Sequence, residues 1–172
     1  MPVTHTLVPN QVIAINNISG MNVELSELSD GNSGTGMQAD PANGTLICGM
    51  SDLGTQPTNG STISVNIKSQ EDTKSSIAIS VTYDNGSNYI QIADYVILGD
   101  NESSFVFASY DSASESGDTD RLNAEQVNQM AFLITISLGI IHDFNVTIDD
   151  GTGGRIRIQE GRVLVREGRI RI

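Results

Sequence analysis

The sequence has no tryptophan, a single cysteine, and only nine lysines and arginines among 172 residues. Each shortage excludes something. The lone Cys48 rules out an intrachain disulfide and any cysteine-based metal site, and within the run LICGM it reads as a small buried hydrophobe. The missing tryptophan and the low aromatic content weaken any surface built by stacking sugar rings on aromatics. Long apolar runs are also missing. The richest, from Met130 to Ile141, is broken by Thr135, Ser137 and Gly139 and falls short of the roughly 20 residues that span a bilayer. The opening MPVTHTLVPN places no basic residue before an apolar stretch, so it is not expected to act as a signal peptide. The glycines of GTGG precede a strand rather than a helix, which removes a phosphate-binding loop.

What is abundant is turn chemistry between short alternating runs. Strands are predicted at 12–15, around Val23 and Leu25, at Thr45–Cys48, Ile63–Ile67, Ile77–Tyr83 and Tyr89–Leu98. Further strands are expected at Phe105 and Phe107, at 130–138, and at Phe144, Val146 and Ile148. Asn43-Gly44, Asn59-Gly60, Asp84-Asn85-Gly86 and Gly99-Asp100-Asn101 punctuate them, supplying positive φ and local side-chain bonding. One short helix is expected over Ala124–Gln129, with Asn123 as N-cap and Gln126 closing a capping box. The reading is an all-β, jelly-roll sandwich over 21–150. Residues 1–20 form an edge strand or an arm, and a C-terminal β-meander occupies 151–172.

The order STISVNIKS, SIAISVTYDNGSNYIQIADYVIL, SSFVFASYDS, RLNAEQVNQMAFLITISLG and HDFNVTIDD resembles the galactose-binding-like jelly rolls, especially carbohydrate-binding modules, over roughly 22–150. That resemblance implies a sugar-binding surface, for which Tyr89, Gln91 and Tyr95 are the candidate contacts. It also implies a structural calcium ion held by an acid at the end of the last strand, which here carries over to Asp149 or Asp150. A solvated acidic loop explains the second cluster, Asp118-Thr119-Asp120, equally well.

The last nineteen residues, GRIRIQE, GRVLVRE and GRIRI, use one seven-residue unit nearly three times, and they resemble β-repeats of phage structural proteins. Two-residue turns at Glu160-Gly161 and Glu167-Gly168 set one register for all three strands. Ile158 then opposes Val163, Ile156 opposes Val165, and Val165 and Val163 oppose Ile170 and Ile172. Those six β-branched residues share a face, and such a small sheet needs cover. The cover is either the chain's own sandwich or further copies, with a trimer favoured. Arg155, Arg157, Arg162, Arg166, Arg169 and Arg171 fall on the opposite face as a soluble surface or a contact strip.

Charge is split accordingly. Residues 1–154 hold 19 acids against Lys68, Lys74 and Arg121, a balance of −16, whereas 155–172 hold six arginines against Glu160 and Glu167, a balance of +4. An acidic body repels phosphate backbones, so nucleic acid is not an expected partner. Catalysis is not expected either. His142 and Asp143 are neighbours, but successive strand residues face opposite ways and no nucleophile accompanies them. Two functions follow. The first is a virion structural protein made in the host cytoplasm, such as a bacteriophage capsid decoration (cement) or fibre-like protein, a homo-oligomer contacting a major capsid protein. The second is a carbohydrate-binding module or adhesin domain.

Overall fold

A computed structural model describes residues 3–16, 18–19, 25–30, 36–39, 43–69, 75–84, 86–98, 102–150, 155–159 and 162–166. In chain order its strands begin with β1 (Thr4–Leu7), β2 (Pro9–Asn16), β3 (Ile18–Ser19), β4 (Met37–Ala39) and β5 (Gly44–Met50). They continue with β6 (Thr62–Ser69), β7 (Ser75–Thr82), β8 (Ile90–Leu98), β9 (Ser103–Tyr110) and β10 (Arg121–Leu122). A short helix α1 (Ala124–Asn128) leads into β11 (Ala131–Leu138) and β12 (Ile140–Asp149). Two further strands, β13 (Arg155–Gln159) and β14 (Arg162–Arg166), follow.

Two sheets build the body. One is seven-stranded, in the order β10-β9-β6-β12-β4-β3 with β1 paired to β12; the other is five-stranded, β2-β5-β11-β7-β8. This is an all-β jelly-roll sandwich. Alternation decides what lies inside. Leu46, Cys48 and Met50 of β5 and Phe132, Ile134 and Ile136 of β11 are buried. So are Ile77, Ile79 and Val81 of β7. They meet Ile63, Val65 and Ile67 of β6 and Phe144, Val146 and Ile148 of β12. Phe132 sits at the centre, edge-on to Phe107 at 5.9 Å and to Phe144 at 5.4 Å. Each such side chain contributes about 1.5–3 kcal/mol through burial. Cys48 lies within this core, and desolvation pushes its thiol up to about 12.

The N-terminal residues feed both sheets: β1 hydrogen-bonds antiparallel to the end of β12, and β2 to β5. Asn123 caps α1 with the reciprocal bonds expected, Gln126 N donating to Asn123 Oδ1 at 3.0 Å and Asn123 N to Gln126 Oε1 at 3.1 Å. Buried Gln126 also donates to the Asp118 carbonyl at 2.7 Å, which fastens the loop before the helix. Asn43, Gly60 and Gly86 all have positive φ, at the turn positions their sequence announced.

Two expectations need correction. The strand at Val23 and Leu25 is not formed at Leu25, which opens a single 3-10 turn, Leu25–Leu28, that buries Leu28 instead. The strand expected at Phe105 and Phe107 forms as β9, with both rings packed against the core. A bulge at Phe107, between the pairs Ile63–Ala108 and Ser64–Val106, reverses the strand's faces so that Ala108 and Tyr110 enter the core. A bulge at His142, between Ile141 and Asp143, likewise brings neighbours together that regular alternation would separate. His142 Nδ1 lies 3.3 Å from Asp143 Oδ2. His142 is 1% exposed, so solvent and substrate do not reach it.

The Arg/Ile repeat forms its own two-stranded antiparallel sheet. Arg155 pairs with Arg166, Ile156 with Val165, Ile158 with Val163 and Gln159 with Arg162, the register the seven-residue unit predicts. Its third strand, with Arg169, Ile170, Arg171 and Ile172, lies outside the described residues. Among the described residues no helix is long and apolar enough to cross a membrane.

Candidate functional site

The outer face of the five-stranded sheet carries an open groove of about 420 Å³. Its size is that of a small-molecule or oligosaccharide site. Its floor follows from register. Gly49 of β5 lies opposite Ala131 of β11, which in turn lies opposite Thr82 of β7. All three are small, so the sheet is recessed there while Ile47 and Ile13 supply apolar edges.

One wall comes from β2. A bulge at Asn10, between the pairs Pro9–Met50 and Gln11–Gly49, presents two successive amides at one place. A Cβ on Gly49 would meet Gln11 Cβ at 3.6 Å, Gln11 Oε1 at 3.7 Å and Asn10 Oδ1 at 3.9 Å, so both amides close over this glycine. Neither side chain makes a hydrogen bond among the described residues, and both residues are exposed. Their donors and acceptors are therefore open to a ligand.

The second wall is the end of α1. Asn128 and Gln129 line it, with Asn128 Oδ1 accepting from Leu53 N at 2.7 Å and Gln129 Nε2 donating to Glu125 at 3.2 Å. The chain contains two Asn-Gln doublets, 10–11 and 128–129, and the fold sets them beside the same groove. Asp52 adds a carboxylate to the lining.

Tyr89 closes the groove on the β7–β8 side, 38% exposed. A tightly bonded loop places it. Asp84 accepts from Thr82 Oγ1 at 2.7 Å, Asn88 N at 3.0 Å and Asn88 Nδ2 at 2.6 Å, while Gly86 N donates to Thr82 Oγ1 at 3.0 Å. These bonds, led by that from the Asn88 side chain, lower the Asp84 carboxyl from 3.8 to about 2. Gly86, at φ +87°, lies under the Tyr89 hydroxyl; a Cβ there would sit 3.2 Å from Tyr89 Oη.

The other sequence candidates separate. Gln91, opposite Ser80, lines a smaller pocket of about 240 Å³ with Tyr83 and Phe107 rather than the groove. Tyr95 is 52% exposed at φ +43° inside a bulge of β8, away from the groove lining. Asp149 accepts from Thr4 Oγ1. Asp150 accepts from Ser61 Oγ at 2.6 Å and Thr58 N at 2.9 Å and lies 3.5 Å from His5 Nε2. These contacts, the Ser61 bond first, hold the Asp150 carboxyl below its usual range. Both acids thus anchor the N-terminal strand. Asp118 is bonded to Ser114 and Arg121, each at 3.0 Å. Among the described residues no group of three or more His, Cys, Asp or Glu side chains is arranged to hold a metal ion. The six β-branched residues and six arginines of the C-terminal repeat are not among the described side chains.

No protein-family model and no curated protein matches the chain. Among solved structures it is similar to a pectin-binding carbohydrate-binding module determined in a monoclinic crystal form. Identity is 15%, the match covers 80% of this chain and 86% of that chain, and the TM-score is 0.43.

Of the residues lining the groove, Tyr89 is a candidate the sequence also names, whereas Asn10, Gln11, Gly49, Asp52, Asn128 and Gln129 are not. They come from three separate stretches, 10–11, 49–52 and 128–129, and no local pattern in the sequence links them.

Proposed function

We propose that this protein is a non-catalytic glycan-binding module, with the groove on the five-stranded sheet as its site. The observation that carries this is the convergence of two Asn-Gln doublets and exposed Tyr89 over a floor of small residues. Amides offer donors and acceptors in fixed geometry to vicinal hydroxyls, and a tyrosine face packs against the apolar side of a sugar ring. Glycoside hydrolysis ordinarily uses two carboxyl groups flanking the bond, and among the described lining residues Asp52 is the one carboxylate. The test is binding of the full-length chain to a polysaccharide panel by affinity electrophoresis and calorimetry. Saturable binding is expected, weakened about tenfold by Tyr89→Ala, a cost typical of losing one aromatic anchor. A folded protein that binds nothing on a broad panel sinks the reading.

A second reading concerns assembly, and the antiparallel register of β13 and β14 favours it. The repeat would join copies, with a trimer as the simplest closed form, and would raise avidity for a repeating polymer without new contacts. Light scattering on the full chain should give a defined oligomer, reduced to monomer by the double change Ile158→Asp and Val163→Asp. A wild-type monomer would refute it. The virion role gains no support from the fold or from the comparisons, and the groove favours the glycan alternative.

A further inference from the structure

We propose that the groove selects uncharged glycans and rejects uronate-bearing ones, with Asp52 as the discriminating group. This rests on the glycan reading above and adds the chemical class of the ligand.

The inference comes from which charges stand at the groove and which stand elsewhere. Among the described residues no lysine, arginine or histidine lines it, and its polar groups there are amides, hydroxyls and the Asp52 carboxylate. Recognition of a sugar carboxylate ordinarily uses a cation, most often the two-pronged guanidinium of arginine. The cations of the described body stand in other places. Arg121 is paired with Asp118 at 3.0 Å, Lys68 lies opposite Asp143 in the other sheet, His5 sits against Asp150, and His142 is closed inside the core. The surrounding body carries a balance of −16 over residues 1–154, from 19 acids and three bases.

A uronate entering the groove would surrender hydration without gaining a counter-charge and would face Asp52 at close range. A neutral sugar meets the opposite situation. Its hydroxyls donate to the Asp52 carboxylate, giving charge-assisted bonds stronger than those between neutral groups. They also exchange bonds with the unspent amides of Asn10 and Gln11. The same carboxylate therefore attracts one class and repels the other, which is how a site gains specificity beyond affinity.

The decisive measurement compares polymers that share a backbone and carry either neutral or charged side groups, against the full wild-type chain. Fully methyl-esterified and de-esterified polygalacturonate form one such pair; hydroxyethyl- and carboxymethyl-cellulose form another. Neutral galactan, xylan and β-glucan complete the panel. Binding to at least one neutral polymer is expected, with every carboxylated partner weaker by about tenfold or more at low salt. Added salt should narrow that gap. Asp52→Asn should narrow it too, by several-fold, while circular dichroism and Tm stay those of the wild type. A carboxylated polymer bound as well as its neutral partner overturns this proposal and leaves glycan binding standing. An unchanged neutral-to-acidic ratio in Asp52→Asn overturns the role of Asp52. No binding to any polymer, or neutral binding that survives both Gly49→Val and Tyr89→Ala, overturns the glycan site itself.

Discussion

The outer faces of the two sheets use the same amide chemistry for opposite ends. On the seven-stranded sheet, Asn66 donates to Asn145 Oδ1 at 2.9 Å and to Thr147 Oγ1 at 3.0 Å, and it is 6% exposed. On the five-stranded sheet, Asn10 and Gln11 are exposed and spend no side-chain bonds among the described residues. An amide whose bonds are closed within a ladder stabilises the fold; one left open beside a recessed floor is available to a ligand. Residue type does not separate the two. Register and bulges do.

The largest effect that would test this contrast is on stability. Asn66→Ala strips partners from Asn145 and Thr147 in a nearly closed setting. It should cost about 1–3 kcal/mol in urea unfolding, with glycan affinity unchanged. Loss of affinity without loss of stability would erase the distinction between the faces. Gly49→Val should do the reverse. Its side chain fills the space beneath Gln11 and Asn10, so affinity should drop about tenfold or more while the unfolding midpoint moves little. Smaller again, Asn10→Ala and Gln11→Ala should each weaken binding about threefold, since each removes neutral hydrogen bonds worth roughly 0.5–1.5 kcal/mol. Calorimetry reads both, and stability should stay within about 0.5 kcal/mol of wild type.

The weakest expected effect is with pH. Asp84 is lowered from 3.8 to about 2 by the bonds that shape the loop before Tyr89. Its stabilising contribution is fully present above the unfolded value and is lost as pH falls through the folded one. Order in the 83–89 loop should hold down to about pH 4 and decline toward pH 2, followed by the NMR signals of Tyr89. Asp84→Asn should remove that decline. A loop transition centred well above pH 4 would assign the control to another group.

Much of the fold was legible in the chain because alternation and turn chemistry are local. Ile77, Ile79 and Val81 announce a buried face, Asn123 and Gln126 announce a helix start, and a seven-residue repeat announces the pairing of Ile158 with Val163. What local pattern does not reveal is a bulge. At Phe107 and His142 one extra residue reverses the alternation, and nothing nearby in the sequence marks the insertion. Of the groove lining, only Tyr89 stood out in the sequence. Gly49 reads as an ordinary strand glycine, and Asn128-Gln129 as the tail of a short helix.

By itself, then, the sequence determined an all-β chain with an aliphatic core, a capped helix and an acidic body followed by a basic repeat. Those properties follow from period, composition and capping, each readable within a few residues. Only the tertiary structure decided that two distant Asn-Gln doublets, Gly49 and Tyr89 share one groove, and that His142 and Asp150 are held within the architecture. Which strands become neighbours, and where a bulge turns a side chain, is settled by packing two whole sheets together, an energy summed over the entire core.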